Sequence, residues 1–573
     1  MSKLTLLKRS LSKHCLSKHS LSQHSLSKLP LPHLTPLTTV MLAAALLTIV
    51  RVASTPLMPI DETRYLGVAW EMWQRHLWLV PQLNGEPYAH KPPLLFWLIH
   101  LAWAIFGTDD PVGRLAVPLV GLLSYPLLVA IVRVGFPQSV AQARWAPGLL
   151  LGMTLWSVFL PLSMFDILLT TCLLLAVLGL VGLARYGGTG WVVMSGVGLG
   201  LGLLAKGPVI LLYWLPLALG IGWWSPRSLG ASAMALCGSG TIGLAMGLAW
   251  ALPAAQAGGA DYARDILWGQ FAGRVSHSFA HARPWYWYLP LIPLALFPWS
   301  MTSLWWRPRL TSRLARLALL GVLPAVLVLS LISGKQAHYL IPTLPFAALW
   351  ISLGLPGKGQ PLLASHGRWL RHMPWLAVPL LLVMPELLQT LGGVTPVHNG
   401  YRALALVPLL LAMIAAPQRS SRLALLVWPV TLTCLLVSTR PLLTQRYDLT
   451  PLAQRLHQLE TRGTPVAYAG RYADQFQYLG RLQRPLVELE DDEVDRWWAS
   501  HPNGRIVTSD DQLPLPENAT TILYQPYRGK TYRLLTRSPN GRPGSVAGVH
   551  PPLLWEGQPK AQLQSIPMGV SGA

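Results

Sequence analysis

Long apolar segments recur along about four fifths of the chain, and this pattern limits its fold more than any other feature. Only 12% of the 573 residues are charged, about half the share usual in soluble domains. Several segments approach the length that crosses a hydrocarbon core of about 30 Å. They are Val40–Val50, Leu115–Val132, Leu168–Leu183, Ile242–Leu252, Leu317–Ile332 and Leu376–Met384. The sequence therefore predicts an all-α polytopic membrane protein.

The formal net charge of +22 would suggest a nucleic-acid partner in a soluble protein. Here most Lys and Arg residues lie in short connections between apolar segments, which is the pattern of membrane orientation. We therefore expect membrane lipids and no nucleic acid as partners. The four cysteines are scattered and form no CxxC pair, so no disulfide framework is indicated.

Residues 1–37 contain a near repeat of five residues and are rich in Ser, Lys and His. Three of these residues, His14, His19 and His24, could bind a metal. The composition favours a disordered basic tail that holds the N-terminus in the cytoplasm. The run from Leu37 lacks a small-residue cleavage site, which favours a retained first helix over a signal peptide.

The first helix is predicted at 38–58, which places the polar block after it outside the membrane. The next apolar segment, Pro93–Phe106, is short for a span and suits an interfacial or re-entrant helix. If it stays outside, helices two to four follow at 112–133, 146–163 and 166–184. The basic connections then fall inside, in agreement with the positive-inside rule; they contain Arg133, Arg144, Arg185, Arg227, Arg307, Arg309, Arg313, Arg316, Lys358, Arg368, Arg371, Arg419 and Arg422.

This topology gives roughly thirteen spans in a transmembrane domain at 38–440. Loops 59–111 and 254–285 lie outside, in the periplasm, and carry most of the polar chemistry. A small α/β domain at 441–537 also ends outside, and a flexible tail follows at 538–573. The predicted strands of the α/β domain are Val466–Ala469, Pro485–Leu489, Arg505–Thr508, Thr521–Tyr524 and Thr531–Leu535.

The block after the first helix contains Asp-Glu-x-Arg-Tyr at 61–65 and Asn-Gly-x-Pro-Tyr-x-x-Lys-Pro-Pro-Leu at 84–94. Removing acidic side chains from water at the end of a membrane helix costs free energy, so such acids often have a function. This favours a functional role for Asp61 and Glu62. The alternative is that both acids stabilise the start of the following helix. The spacing alone leaves both interpretations open.

Together these motifs resemble the bacterial aminoarabinose (lipid A) transferase and protein O-mannosyltransferase superfamily, whose members use polyprenyl-phosphate sugars. Further matches follow in order over about residues 40–355: Met164–Thr170, Leu204–Pro208, Trp285–Pro290, Phe297–Ser300 and Ser333–Pro342. The resemblance implies a GT-C type fold in the bacterial inner membrane. It also implies glycosyl transfer from an undecaprenyl-phosphate sugar to a lipid or glycan acceptor such as lipid A.

The resemblance also implies roles for single residues. Asp61 matches the catalytic carboxylate, with Asp166 as the next candidate. The residues that match or neighbour positions facing the donor phosphate are Arg64, Tyr88, Lys91, Lys206, Lys335 and Tyr339. Such transfer needs a base for the acceptor proton and cations for the departing phosphate. Each cation alone could instead snorkel at the membrane edge.

A divalent metal ion remains open. In the aminoarabinose transferases a Glu usually precedes the motif lysine, whereas this chain has His90. Gln270 stands where those enzymes often have a His. His90 with His277 or His281 could bind zinc, or His90 could act as a hydrogen-bonding or acid-base group.

A transporter or lipid flippase is the alternative function, with Asp61, Asp166 and Lys206 as relay groups. Transporters usually contain an internal repeat, which is not evident here, and their polar groups lie near the midplane. The polar groups of this chain gather on one side.

Overall fold

The computed structural model describes residues 35–226, 229–269, 282–306, 308, 310–355, 421–512, 516 and 518–538, with the isolated positions 383, 407 and 410. The predicted tails, the histidines His277 and His281, and most of the basic connections after residue 355 lie outside the described residues.

The membrane-type part is built from helices that follow one another closely. They are α1 Pro36–Ser54, α2 Asp61–Gln74, α3 Leu94–Phe106, α4 Asp110–Gly121, α5 Ser124–Gly135, α6 Val140–Leu151, α7 Thr154–Phe159, α8 Phe165–Tyr186, α9 Thr189–Lys206, α10 Val209–Leu219, α11 Ile221–Trp224, α12 Leu229–Met234, α13 Gly240–Arg264, α14 Tyr288–Leu296, α15 Arg313–Leu320, α16 Leu323–Leu331, α17 Leu344–Leu353, α18 Ser421–Ser438 and α19 Arg440–Tyr447. A hairpin of β1 Gln82–Leu83 and β2 Glu86–Pro87 lies between α2 and α3.

Six helical segments of the described chain are long and apolar enough to cross a membrane, or seven if the bent pair Leu425–Ser438 and Arg440–Tyr447 forms one span. The six are Pro36–Ser54, Asp110–Gly135, Phe165–Tyr186, Thr189–Lys206, Gly230–Leu267 and Arg313–Leu331. The polytopic helical architecture is confirmed. The count of about thirteen spans stays a prediction.

Several helix limits differ from the sequence prediction. Helix α1 ends at Ser54 rather than near 58, because the residue before Pro56 is disfavoured in the α conformation. The predicted third helix is split into α6 and α7 and begins at Val140. Helix α13 has a break at Gly259 and continues to Arg264, and a π-helical segment at Asp265–Gly269 follows it, so helical backbone occupies the first part of the loop expected from 254. Helix α3 has the short length expected for Pro93–Phe106.

Helix α8 is the centre of the helical core, and nearly all of its residues are buried. It packs side by side with α9 at very short range. A Cβ atom at Gly179 would lie 2.3 Å from the backbone nitrogen of Ser195, and one at Gly198 would lie 2.4 Å from that of Ala176. Small residues allow such close helix approach in membranes, and the approach fixes the ends of α8 and α9 relative to each other.

The C-terminal strands form one mixed five-stranded sheet in the order β4-β3-β5-β7-β6. Its strands are β3 Val466–Ala469, β4 Val487–Leu489, β5 Arg505–Ser509, β6 Ala519–Tyr527 and β7 Lys530–Arg537, and all five overlap the predicted strands. Helices α20 Thr450–Thr461, α21 Gln477–Gly480 and α22 Val494–Ser500 accompany it. Tyr468 belongs to one apolar cluster, and its neighbours Ala467 and Ala469 belong to another. This alternation is that of a sheet covered on both faces. We call residues 450–537 the sheet domain.

Candidate active site

Asp166 and Lys206 form a buried ion pair where the first turn of α8 meets the last turn of α9. Lys206 Nζ lies 2.5 Å from Asp166 Oδ1, and the two side chains are 5% and 2% exposed. An acid at a helix N-terminus and a base at a helix C-terminus are both favoured by the helix dipole. The pair therefore marks the end of the α8–α9 hairpin that faces the motif-bearing loops.

His338 and Tyr339 complete this cluster from a 3₁₀ segment at Ala337–Thr343. His338 Nε2 lies 3.8 Å from Asp166 Oδ2, and Lys206 Nζ lies 4.9 Å from the centre of the Tyr339 ring. The hydroxyl of Tyr213 donates to the Tyr339 carbonyl oxygen at 2.7 Å. This bond fixes the backbone of the segment against α10.

Lys91 reaches the same place from the loop before α3. Its Nζ atom lies 5.4 Å from the centre of the Phe165 ring, and Phe165 directly precedes Asp166. The ring of Tyr65 meets Phe165 edge to face at 4.7 Å between centroids. Tyr88 lies close enough to Tyr65 for the two phenols to interact electrostatically. The first loop therefore supplies one cation and two tyrosines to the site.

The adjacent acids Asp61 and Glu62 have different surroundings. Glu62 is 1% exposed; it accepts a hydrogen bond from the Met58 backbone N–H at 2.9 Å and lies 3.6 Å from Arg114 Nε. Asp61 is half-buried and accepts one from the Tyr65 hydroxyl at 2.9 Å. It also lies within electrostatic range of His338. Glu62 therefore stabilises the helix start, and Asp61 is the acid that faces the cluster.

Two predicted phosphate-binding residues have other contacts. Lys335 is 3% exposed and donates to the carbonyl oxygens of Arg283, at 3.0 Å, and Ile332. Arg64 lies on α2 and interacts electrostatically with Asp474 of the sheet domain. The structure therefore brings Asp61, Tyr88, Lys91, Asp166, Lys206 and Tyr339 together and directs Arg64 and Lys335 towards other groups.

His338 is the residue of this cluster to which the sequence prediction gave no role. It lies inside the motif at 333–342, but within this motif only Lys335 and Tyr339 were predicted to face the donor phosphate. Lys335 lies before the 3₁₀ segment and Gln336 has an extended backbone, so spacing in sequence does not reveal that His338 rather than Lys335 reaches Asp166.

Known proteins match this chain in sequence. A profile of the dolichyl-phosphate-mannose-protein mannosyltransferase family matches residues 90–250. The undecaprenyl phosphate-alpha-4-amino-4-deoxy-L-arabinose arabinosyl transferase of Pseudomonas paraeruginosa is 32% identical over 304 residues, which are 50% of this chain and 54% of that protein. The transferase of the same name from Pectobacterium carotovorum is 28% identical over 392 residues, 63% of this chain and 68% of that protein.

Solved structures match over a longer part of the chain. The crystal structure of ArnT from Cupriavidus metallidurans bound to undecaprenyl phosphate has a TM-score of 0.69 at 18% identity and covers 88% of this chain and 98% of that one. Its apo form has a TM-score of 0.69 at 19% identity, with 86% and 97% covered. The chain therefore has the fold of these ArnT structures, and its sequence is similar to the mannosyltransferase family profile and to the arabinosyl transferases. In sequence the chain spans about half the length of the Pseudomonas relative, whereas the similarity in fold to the ArnT structure extends over most of the chain.

Of the histidines that could bind a metal, His90 lies within the described residues, and His277 and His281 lie outside them. Within the described ranges, no group of three or more His, Cys, Asp or Glu side chains could hold a metal ion. The ring of His90 lies against that of Tyr88, with 5.2 Å between centroids. The cluster around Asp166 already contains the two cations Lys91 and Lys206, which oppose a further positive charge. The described residues therefore do not fit a metal, and we assign no chemical step to one.

Proposed function

We propose that the protein is an inner-membrane glycosyltransferase that moves a sugar from a polyprenyl-phosphate donor to an acceptor in the periplasm. The sugar is aminoarabinose or a hexose, and the acceptor is a lipid or glycan such as lipid A. The observation that carries this proposal is the convergence of one partly exposed carboxylate, Asp61, with Lys91 and Lys206.

This arrangement suits the chemistry of transfer from a phosphate-linked sugar. The acceptor hydroxyl gives its proton to Asp61, and its oxygen forms a bond to the anomeric carbon. The bond between that carbon and the phosphate oxygen breaks, and the polyprenyl phosphate leaves with its negative charge. A positioned base and fixed cations stabilise these two charge changes.

We assign Asp166 to the support of Lys206 rather than to proton transfer. Its carboxylate is buried and already paired, and a base must reach the acceptor hydroxyl. Removing one member of a buried ion pair leaves the other charge uncompensated, at a cost of about 3–5 kcal/mol. Asp166 therefore keeps the Lys206 ammonium in place for the donor phosphate.

The contacts of the sheet domain support an outer location for the site. Trp70 of α2 donates from Nε1 to the Leu482 carbonyl oxygen at 2.9 Å. Arg481 donates to the Thr108 carbonyl oxygen at 2.6 Å. Loop 59–111 and the sheet domain must therefore lie on the same side of the membrane. The basic connections favour the other side as cytoplasmic.

Mass spectrometry of lipid A and other cell-envelope glycans, from cells with and without the gene, tests the proposal. We expect a lipid or glycan species that carries one additional sugar in cells with the gene and loses it in the deletion strain. The same species should be absent when the deletion strain expresses Asp61→Asn.

A contrary result would be an unchanged set of glycans together with movement of the lipid-linked sugar across liposome membranes by the purified protein. That outcome would favour the transporter or flippase.

A further inference from the structure

We infer that the sheet domain forms part of the framework of the active site, with Asn84 as a positioning residue for Tyr88 and Lys91. This inference rests on the proposed function. It gives a role to the Asn-Gly pair at 84–85, which belongs to the first-loop motif but does not contact the Asp166 cluster.

Asn84 binds the free edge of the sheet. Among the described strands, β4 is at the edge of the sheet and pairs with β3 alone, so its outer backbone groups need other partners. Asn84 Oδ1 accepts from the Leu486 backbone N–H at 2.8 Å, and Asn84 Nδ2 donates to the Leu486 carbonyl oxygen at 2.9 Å. The same Nδ2 atom donates to Glu488 Oε1 at 3.1 Å. The side-chain amide therefore replaces a neighbouring strand.

A short hairpin connects Asn84 to the segment that contains Lys91. Asn84 and Gly85 form its turn, with φ values of +51° and +88°. Strand β2 then leads to Tyr88, whose backbone N–H donates to the Pro81 carbonyl oxygen at 2.7 Å. Lys91 follows three residues later. Fixing the turn on the sheet domain and closing the base of the hairpin together restrict where Lys91 can lie.

The same segment of the sheet domain also holds the helix that begins at Asp61. Leu482 accepts the hydrogen bond from Trp70, and Glu71 Oε1 accepts one from the Gly85 backbone N–H at 2.7 Å. Residues 482–488 thus contact both α2 and the hairpin that leads to Lys91, and the Glu71–Gly85 bond joins these two elements directly. The relative position of the proposed base and the proposed phosphate ligand depends on both contacts.

Two substitutions of Asn84 separate positioning from turn formation. Asn84→Gly removes the amide and still accepts a positive φ. Asn84→Asp also tolerates this backbone, but it places a carboxylate against the Leu486 carbonyl oxygen and the Glu488 carboxylate. We expect Asn84→Gly to raise the KM for the polyprenyl-phosphate sugar about fivefold or more, with kcat changed less than about twofold.

Asn84→Asp should raise this KM further, and the double variant Asn84→Asp/Glu488→Gln should recover part of the loss because the like charges are removed. Asn518→Asp is the matched control. Asn518 Nδ2 donates to Asp495 Oδ1 at 2.8 Å on the exposed side of the sheet domain, so this variant creates a similar repulsion away from the first loop. Its donor KM should stay at the wild-type value.

Hydrogen–deuterium exchange of the full-length protein in detergent supplies a readout that does not need activity. Asn84→Gly and Asn84→Asp should both increase exchange in residues 82–91 and 486–489, whereas Asn518→Asp should not. Unchanged exchange in the Asn84 variants would overturn the docking contact. Increased exchange with an unchanged donor KM would overturn the positioning role. If the wild-type protein transfers no sugar, the proposed function fails, and the exchange result still decides whether the contact exists.

Discussion

Asp61 is the residue on which the proposed chemistry depends most directly. We expect Asp61→Asn to leave an inserted, folded protein whose transfer rate falls by at least about 10²-fold, because the acceptor proton loses its base. The measurement is the rate of sugar transfer from a polyprenyl-phosphate donor in detergent. Asp261→Asn is the control, since that side chain is 88% exposed on α13. Full activity in Asp61→Asn would place the base elsewhere, with Asp166 the next candidate.

Lys91 tests the phosphate-binding part of the site. Lys91→Ala should weaken donor use strongly, because a fixed cation near the departing phosphate is lost. Lys91→Arg should restore part of the rate if positive charge is what matters. The assay compares rates at fixed salt, since exposed charges are screened, and Lys530→Ala in the sheet domain is the control. A lysine that only contacts membrane phosphates would leave turnover nearly unchanged in both Lys91 variants.

The buried carboxyl group of Asp474 predicts how the stability of the fold depends on pH. The residue is 0% exposed, and neither carboxylate oxygen accepts a well-formed hydrogen bond. Burial is the main reason that its pKa lies well above the usual range, and the charge of Glu71 adds to this effect. The Asn84 backbone N–H and the Arg64 guanidinium lower the pKa but do not cancel the rise. At a pH between the ordinary pKa and this raised pKa, the folded protein keeps a proton on Asp474 that the unfolded chain has lost.

Because the folded-state pKa is raised, this contribution to stability is present at low pH. It decreases as the pH rises from the ordinary value of about 3.9 through the folded-state value. Asp474→Asn cannot lose a proton, so its apparent melting temperature should fall less than that of the wild type between about pH 5 and about pH 8. Asp492→Asn, at a side chain that is 74% exposed, should follow the wild-type curve. Parallel curves of melting temperature against pH for the wild type and Asp474→Asn would show that Asp474 is already ionised in the folded protein.

At the scale of elements, α2 and the sheet domain approach so closely that position 67 of α2 must be a glycine. A Cβ atom at Gly67 would lie 2.8 Å from both the Cβ and the carbonyl oxygen of Asp474. Gly67→Ala should therefore push α2 and the sheet domain apart and destabilise the protein by about 1–3 kcal/mol, the usual cost of overpacking. Thermal unfolding in detergent measures this change.

Gly190→Ala is the control, since a Cβ atom there meets no atom within 4 Å. Alanine is favoured over glycine in a helix, so this variant should be at least as stable as the wild type. An equally stable Gly67→Ala protein would mean that α2 can shift without loss of the interface.

At the scale of the whole molecule, the topology can be tested by thiol labelling. Single cysteines at Glu86, Asp510 and Thr311, all at exposed positions, would be introduced after replacing the four native cysteines. In intact spheroplasts a membrane-impermeant reagent should label positions 86 and 510 but not 311, which becomes reactive only after lysis. Labelling at 311 without labelling at 86 would reverse the orientation and remove the outer active site.

Much of the local structure and chemistry could be predicted from the sequence. Apolar run length defines the membrane class, because a backbone in lipid must satisfy its hydrogen bonds within helices or closed barrels. The positions of the five strands also follow from local composition. The ordered motifs indicated a resemblance to the superfamily and included six of the residues that meet at the site. These features depend on residues that are close together in the chain.

The tertiary structure decided which of these residues act together. Asp61 and Glu62 are adjacent in sequence, yet only contacts with Met58 and Arg114 show that Glu62 is structural. The Asp166–Lys206 pair, the neighbouring His338 and the binding of Asn84 to Leu486 join residues from 40 to 402 positions apart. Local spacing cannot specify such contacts, because they depend on how helix ends and a sheet edge are placed by close packing.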